Sequence, residues 1–132
     1  MTFSILAYDA ETGRLGSGAA TGSLCVGGWV LRGNLASGLS ASQGTAPSTV
    51  WGEGVLDRMR NGLSAAEAVA RTTEPDSGRE HRQLSALGPK GGTGAFTGDQ
   101  SVPACGHRCT ENVVVAGNML ADEAVLDAIL DH

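Results

Sequence analysis

Phe3, Ile5 and Ala7 alternate with Ser4, Leu6 and Tyr8 at the start of the chain. A repeat of two places successive side chains on opposite faces, so residues 3–8 read as a strand. Asp9-Ala10-Glu11-Thr12-Gly13 reads as a turn, and Arg14 to Ala20 as a second strand of small residues, so the chain opens on a hairpin. Leu24 to Leu31 and Asn34 to Ser42 predict another pair of strands, joined near Arg32-Gly33. The period then changes. Val50, Trp51, Val55, Leu56 and Met59 recur at helical spacing, with Ser48 or Thr49 to cap the start and Gly62 to end the helix. Ser64-Ala65-Ala66-Glu67 has the form of a capping box and predicts a second short helix to about Thr72. Glu74 to Glu80 is a loop, Arg82 to Leu87 a strand, Gly88 to Gly92 a turn and Thr93 to Thr97 a returning strand. A loop through Pro103 and His107 leads to Val113-Val114-Val115, a β-branched run suited to a strand buried on both faces. Gly117-Asn118 is expected to break that strand. Met119, Leu120, Val125, Leu126, Ile129 and Leu130 then form a last amphipathic helix. Four strands, two helices, three strands and one helix predict an α+β fold with antiparallel sheet packed against helices.

Composition narrows the function classes. The 132 residues suit one domain, 1–132, with a modest core, and 41% hydrophobic against 17% charged residues reads as globular. The net charge of −5, the lack of a basic stripe and the few aromatics argue against nucleic acid and anionic membrane as partners. No stretch approaches a membrane span and no signal peptide is apparent, so the expected location is the cytoplasm. Cys25, Cys105 and Cys109 make a disulfide framework improbable. Cys105-Gly106-His107-Arg108-Cys109 offers thiolates and an imidazole, but no second Cys/His pair completes a closed zinc site, so neither metal nor cofactor is expected.

The candidate chemistry lies at Thr2. Met aminopeptidases remove Met ahead of small residues, which would make Thr2 the mature N-terminus. An N-terminal Thr holds nucleophile and base together, because its α-amine, with a reference pKa of about 8, can take the proton from its own hydroxyl. The plain alternative is that Thr2 only begins the first strand.

Several segments in register carry a family resemblance: Thr2-Phe3-Ser4-Ile5, Ser42-Gln43, Arg82-Gln83, Phe96-Thr97-Gly98, Gly106-His107-Arg108 and Gly117-Asn118-Met119-Leu120. From Thr2 onward the chain resembles the family labelled domain of unknown function 1028, which is grouped with the N-terminal-nucleophile (Ntn) hydrolase-like folds. The resemblance implies an αββα sandwich of antiparallel sheets. It also implies that the sandwich's final helix and strands, a Gly-Gly-Asp segment and a Ser-Ala strand among them, are missing here. An exposed sheet edge would then be covered by a homo-oligomer. The implied function is an amidohydrolase acting on the C–N bond of a small-molecule substrate. Thr2 would be its nucleophile, and Gln43, Gly44 and Asn118 would surround the oxyanion. Asn118 could equally cap a helix or occupy a turn. Arg82 and Gln83 could bind a substrate carboxylate at the sheet edge or cap a loop. His107 could face the cleft or bond to loop backbone. The other implied reading is a non-catalytic ligand-binding or assembly module of the same fold, with a cell-wall-derived ligand. Ser101, Ala104 and Ala116 stand where the family pattern has Cys, Trp and Gln. The Lys and Asp that proteasome-like enzymes place beside the nucleophile have no counterpart: Lys90, the only Lys, falls in a turn, and Arg32 cannot be deprotonated.

Overall fold

The opening alternation becomes β1 (Thr2–Asp9), paired antiparallel with β2 (Arg14–Thr21) from Thr2 opposite Thr21 to Asp9 opposite Arg14. The computed structural model describes residues 1–132. The turn between them is held by the Asp9 carboxylate, which accepts from the Glu11 N–H at 3.0 Å and from the Thr12 hydroxyl.

The next segment differs from expectation. Val26–Val30 is a short helix, α1, followed by β3 (Leu31–Asn34) and β4 (Gly38–Gly44). Its apolar run reads as strand, but Cys25 takes a left-handed φ of 58° and turns the chain, and the Cys25 carbonyl accepts from Gly28 and Trp29. Arg32-Gly33 therefore lies inside β3. The joint is Leu35-Ala36-Ser37, closed by the Asn34 side chain, which accepts from Ala36 N–H at 3.0 Å and Ser37 N–H at 2.8 Å.

The helical period yields α2 (Trp51–Arg60), with Ser48 Oγ accepting from the N–H groups of Val50 and Trp51. It also yields α3 (Ala65–Thr73), whose capping box is complete: Glu67 N–H donates to Ser64 Oγ and Ser64 N–H to the Glu67 carboxylate. Ser64→Ala should therefore cost about 1 kcal/mol, read as a lower urea midpoint with an unchanged slope. A single 3₁₀ turn (Arg79–His81) precedes β5 (Arg82–Leu87) and β6 (Thr93–Thr97). Gly94 of β6 lets α3 sit directly on the strand, because a Cβ there would lie 2.7 Å from the Ala65 backbone.

Three further corrections fall near the end. His107 is in a strand, β7 (Gly106–Cys109), and not in a loop. It pairs with β8 (Val113–Asn118), which runs on through Gly117-Asn118 without a break. The last helix, α4 (Ala124–Asp131), starts later than the apolar spacing suggests. Met119 has a φ of 52°, and Met119 and Leu120 donate to the carbonyls of Val102 and Ala104, so the chain is tied to that loop before it can wind.

The strands form two antiparallel sheets, in the orders β2-β1-β8-β7 and β3-β4-β5-β6. Phe3 and Ile5 on the outer face of the first pack with Val115, Leu120 and Leu126 under α4. Leu84 and Ala86 on the outer face of the second pack with Trp51, Val55, Leu56, Ala68 and Val69 under α2 and α3. Leu6, Ala41, Leu87 and Val114 fill the space between the sheets. Helix, sheet, sheet and helix thus stack in four layers. No helix is long and apolar enough to cross a membrane.

Candidate functional site

The space between the sheets is apolar at one end and polar at the other, and the strand register explains why. Thr2, Ser4 and Leu6 share the inner face of β1, since the apolar contacts of Leu6 and the outward packing of Phe3 and Ile5 set the alternation. Thr2 stands opposite Thr21 on one side and Asn118 on the other, and Gln43 stands opposite Gln83. The inner-face positions at the head of β1 and the end of β4 therefore carry hydroxyls and amides.

Gln83, fully buried, is the hub of this polar end. Its Nε2 donates to the carbonyl of Gly117 at 2.9 Å, with the Gly106 carbonyl at 3.2 Å and Thr97 Oγ1 at 3.1 Å. Backbone carbonyls only accept, which fixes the orientation of the Gln83 amide. Its Oε1 then accepts from Asn118 Nδ2 at 2.9 Å and Gln43 Nε2 at 3.1 Å. The Gln43 amide is oriented in turn: its Oε1 is turned from Gln83 and is left buried without a partner. Thr97 extends the network to His107 Nδ1 at 2.9 Å. Burial, helped by the neighbouring Arg108 charge, pushes the His107 pKa below its ordinary value, so the ring is neutral at pH 7.

A cleft of about 420 Å³ opens beside this network. Thr2, Thr21, Gln43 and Gly44 line it, with Arg32, Ser42, Ser48 and the α1 segment around Trp29. Thr21 Oγ1 donates to the Met1 carbonyl at 2.8 Å and lies 2.9 Å from Thr2 Oγ1. A hydroxyl has one hydrogen, and that of Thr21 goes to Met1, so Thr2 must donate to Thr21. Gly44 has a φ of 132°, and a Cβ there would fall 2.7 Å from the His81 carbonyl and 2.8 Å from Arg82 Cα, so only glycine fits.

Thr2, Gln43 and Gly44 thus share one cleft, and Asn118 stands beside Thr2 in the sheet. Asn118 ends a strand and spends an N–H on Gln83; it caps no helix. Gln83 is a buried hub, not a group at a sheet edge. Arg82 lies away from the cleft lining: its Nε donates to the Ala46 carbonyl at 2.7 Å, its Nη1 pairs with Asp76, and its guanidinium stacks on Trp51 at 5.7 Å. It fastens the 45–47 loop after β4, one residue beyond Gly44. His107 bonds to Thr97 between the sheets. Arg32 and Trp29 of the cleft gave no sequence signal, because the α1 run read as strand. Cys25, Cys105 and Cys109 are free thiols, and burial raises the pKa of Cys105 and Cys109.

A family model described as a family of unknown function, DUF1028, matches residues 2–132. The chain belongs to that family. The DUF1028 chain is similar to a crystal structure of a family protein from Silicibacter pomeroyi, at 53% identity and a TM-score of 0.96 over 98% of this chain. It spans 60% of that protein's chain. No curated protein matches the DUF1028 chain.

Proposed function

We propose that this DUF1028 chain is an Ntn-type amidohydrolase for a small amide. Thr2 is the nucleophile, and its α-amine the base once Met1 is removed. One observation carries the reading: Thr2 lines a cleft together with Gln43 and Gly44, at the polar end of an αββα sandwich. Removing Met1 would take away the carbonyl that occupies the Thr21 hydrogen. Thr21 could then donate to Thr2 Oγ1, while the freed amine takes the Thr2 proton. The backbone at Gly44 and the amide of Asn118 are the candidate donors to the tetrahedral oxyanion.

The second reading, a binding module of the same fold, is favoured by one feature. Gln43 and Asn118 each direct an amide N–H at Gln83. Intact mass and covalent labelling separate the two. Protein made in a host with active Met aminopeptidase should lack Met1, and a β-lactone should acylate it on Thr2, located by peptide mapping. Retained Met1, or Met-free protein that stays unlabelled, would favour the binding module.

A further inference from the structure

The cleft lining contains one ionisable side chain, Arg32. It is held in place, because Nη1 donates to the carbonyls of Gly28 and Leu31, both at 2.7 Å. Its Nε faces Glu53 Oε1 at 3.4 Å, and the Glu53 side chain is 66% exposed. Solvent screens such an exposed pair, so a ligand anion can replace it. Gln43, 2% exposed, also lines the cleft, and its Oε1 is an acceptor that lacks a donor. A buried carbonyl without a donor is costly, and a ligand N–H would relieve it once the Gln43 side chain shifts, because the oxygen is closed to solvent as it stands. Beside both stand exposed apolar side chains of the same lining, Trp29 at 69% and Leu24 at 89%. The lining therefore offers a cation and an apolar wall, with an unpaired acceptor just beneath it.

We propose that the cleft takes an N-acylated apolar amino acid: Arg32 pairs with its carboxylate, Gln43 Oε1 accepts its amide N–H, and Trp29 covers its side chain. The volume fits a small molecule of this kind. The proposal rests on the reading of this cleft as the site of the reaction, and it names the substrate class. Its binding part stands apart from catalysis, so it is tested on Thr2→Ala protein.

The probes are N-acetyl-L-phenylalanine, its neutral primary amide, and the ester analogue in which oxygen replaces the N–H. Binding is followed by calorimetry and by Trp fluorescence. The acid should bind about tenfold more tightly than the neutral amide, the worth of one charge-assisted bond, and several-fold more tightly than the ester. Arg32→Gln should abolish the preference for the acid and leave the neutral amide unchanged. Arg32→Lys, which keeps the charge, should retain part of the preference and guards against a loss that comes only from a loosened α1. Glu53→Gln should tighten the acid alone, because it removes the competing carboxylate. Equal affinities for acid and neutral amide, or no binding of either at millimolar concentration, would overturn the proposal. Acid-selective binding without turnover by the wild-type protein would leave it standing and overturn the hydrolase reading. Turnover without acid preference would do the reverse.

Discussion

Gln83→Leu should destabilise the protein by about 3–5 kcal/mol, a large share of the 5–15 kcal/mol typical of a domain. Leucine fits the volume but offers no polar atom. The N–H groups of Asn118 and Gln43 lose their acceptor at 2.9 and 3.1 Å, and the Gly117 carbonyl loses a donor at 2.9 Å, all where water is excluded. The penalty follows from partners left buried and unpaired, more than from the bonds themselves. Gln83→Glu separates the two contributions. A carboxylate still accepts from both amides, but it faces the carbonyls of Gly106 and Gly117, which repel it, so its folded-state pKa is raised above the unfolded value. The variant should therefore be most stable below about pH 4.3, and should lose stability as pH rises through the folded pKa. Urea unfolding of both variants across this range checks it. A Gln83→Leu cost under about 1 kcal/mol would show that the network tolerates an apolar centre.

The same hub shows which parts of the molecule are legible in the chain and which are not. β1 and β2 are legible because alternation and a turn bounded by Asp9 and Gly13 are local signals. α2 and α3 are legible because their start signals lie within four residues of the helices they begin: Ser48 Oγ accepts from the Trp51 N–H and Ser64 Oγ from the Glu67 N–H. α1 is not, since Val26-Gly27-Gly28-Trp29-Val30 has the composition of a buried strand, and the left-handed turn at Cys25 carries no glycine to announce it. β7 is not, because four residues with Gly, His and Arg have no strand pattern of their own and take their register from β8. The delayed start of α4 depends on the backbone bonds of Met119 and Leu120 to Val102 and Ala104 in an earlier loop, which no local pattern announces. For the site, the family resemblance named Thr2, Gln43 and Gly44, which the fold sets at strand ends lining one cleft. It could not tell that Gln83 faces inward, because Arg82-Gln83 as a pair reads as polar edge. Only the register opposite Gln43 turns that side chain between the sheets.

If Thr2 is the nucleophile, Thr2→Ala should lower kcat/KM by a thousandfold or more, on the order seen when a nucleophilic side chain is removed and only binding and oxyanion stabilisation remain. Stability should fall by no more than about 1 kcal/mol, because Thr2 is half-buried and gives up one bond, to Thr21 at 2.9 Å. That contrast distinguishes a reacting hydroxyl from a structural one. Thr2→Ser keeps the hydroxyl and the amine and should retain most of the activity. The decisive arm leaves the side chain untouched. Protein with Met1 retained, made with the aminopeptidase inhibited, keeps the Thr2 hydroxyl but ties its nitrogen into a peptide bond. The Met1 carbonyl also goes on holding the Thr21 hydrogen. It should be as inactive as Thr2→Ala, and trimming Met1 in vitro should restore turnover. If the Met1-bearing form turns over substrate as fast as the trimmed form, the α-amine is not the base. The proton would then have to go to another group, and the only imidazole between the sheets, His107, is held by Thr97.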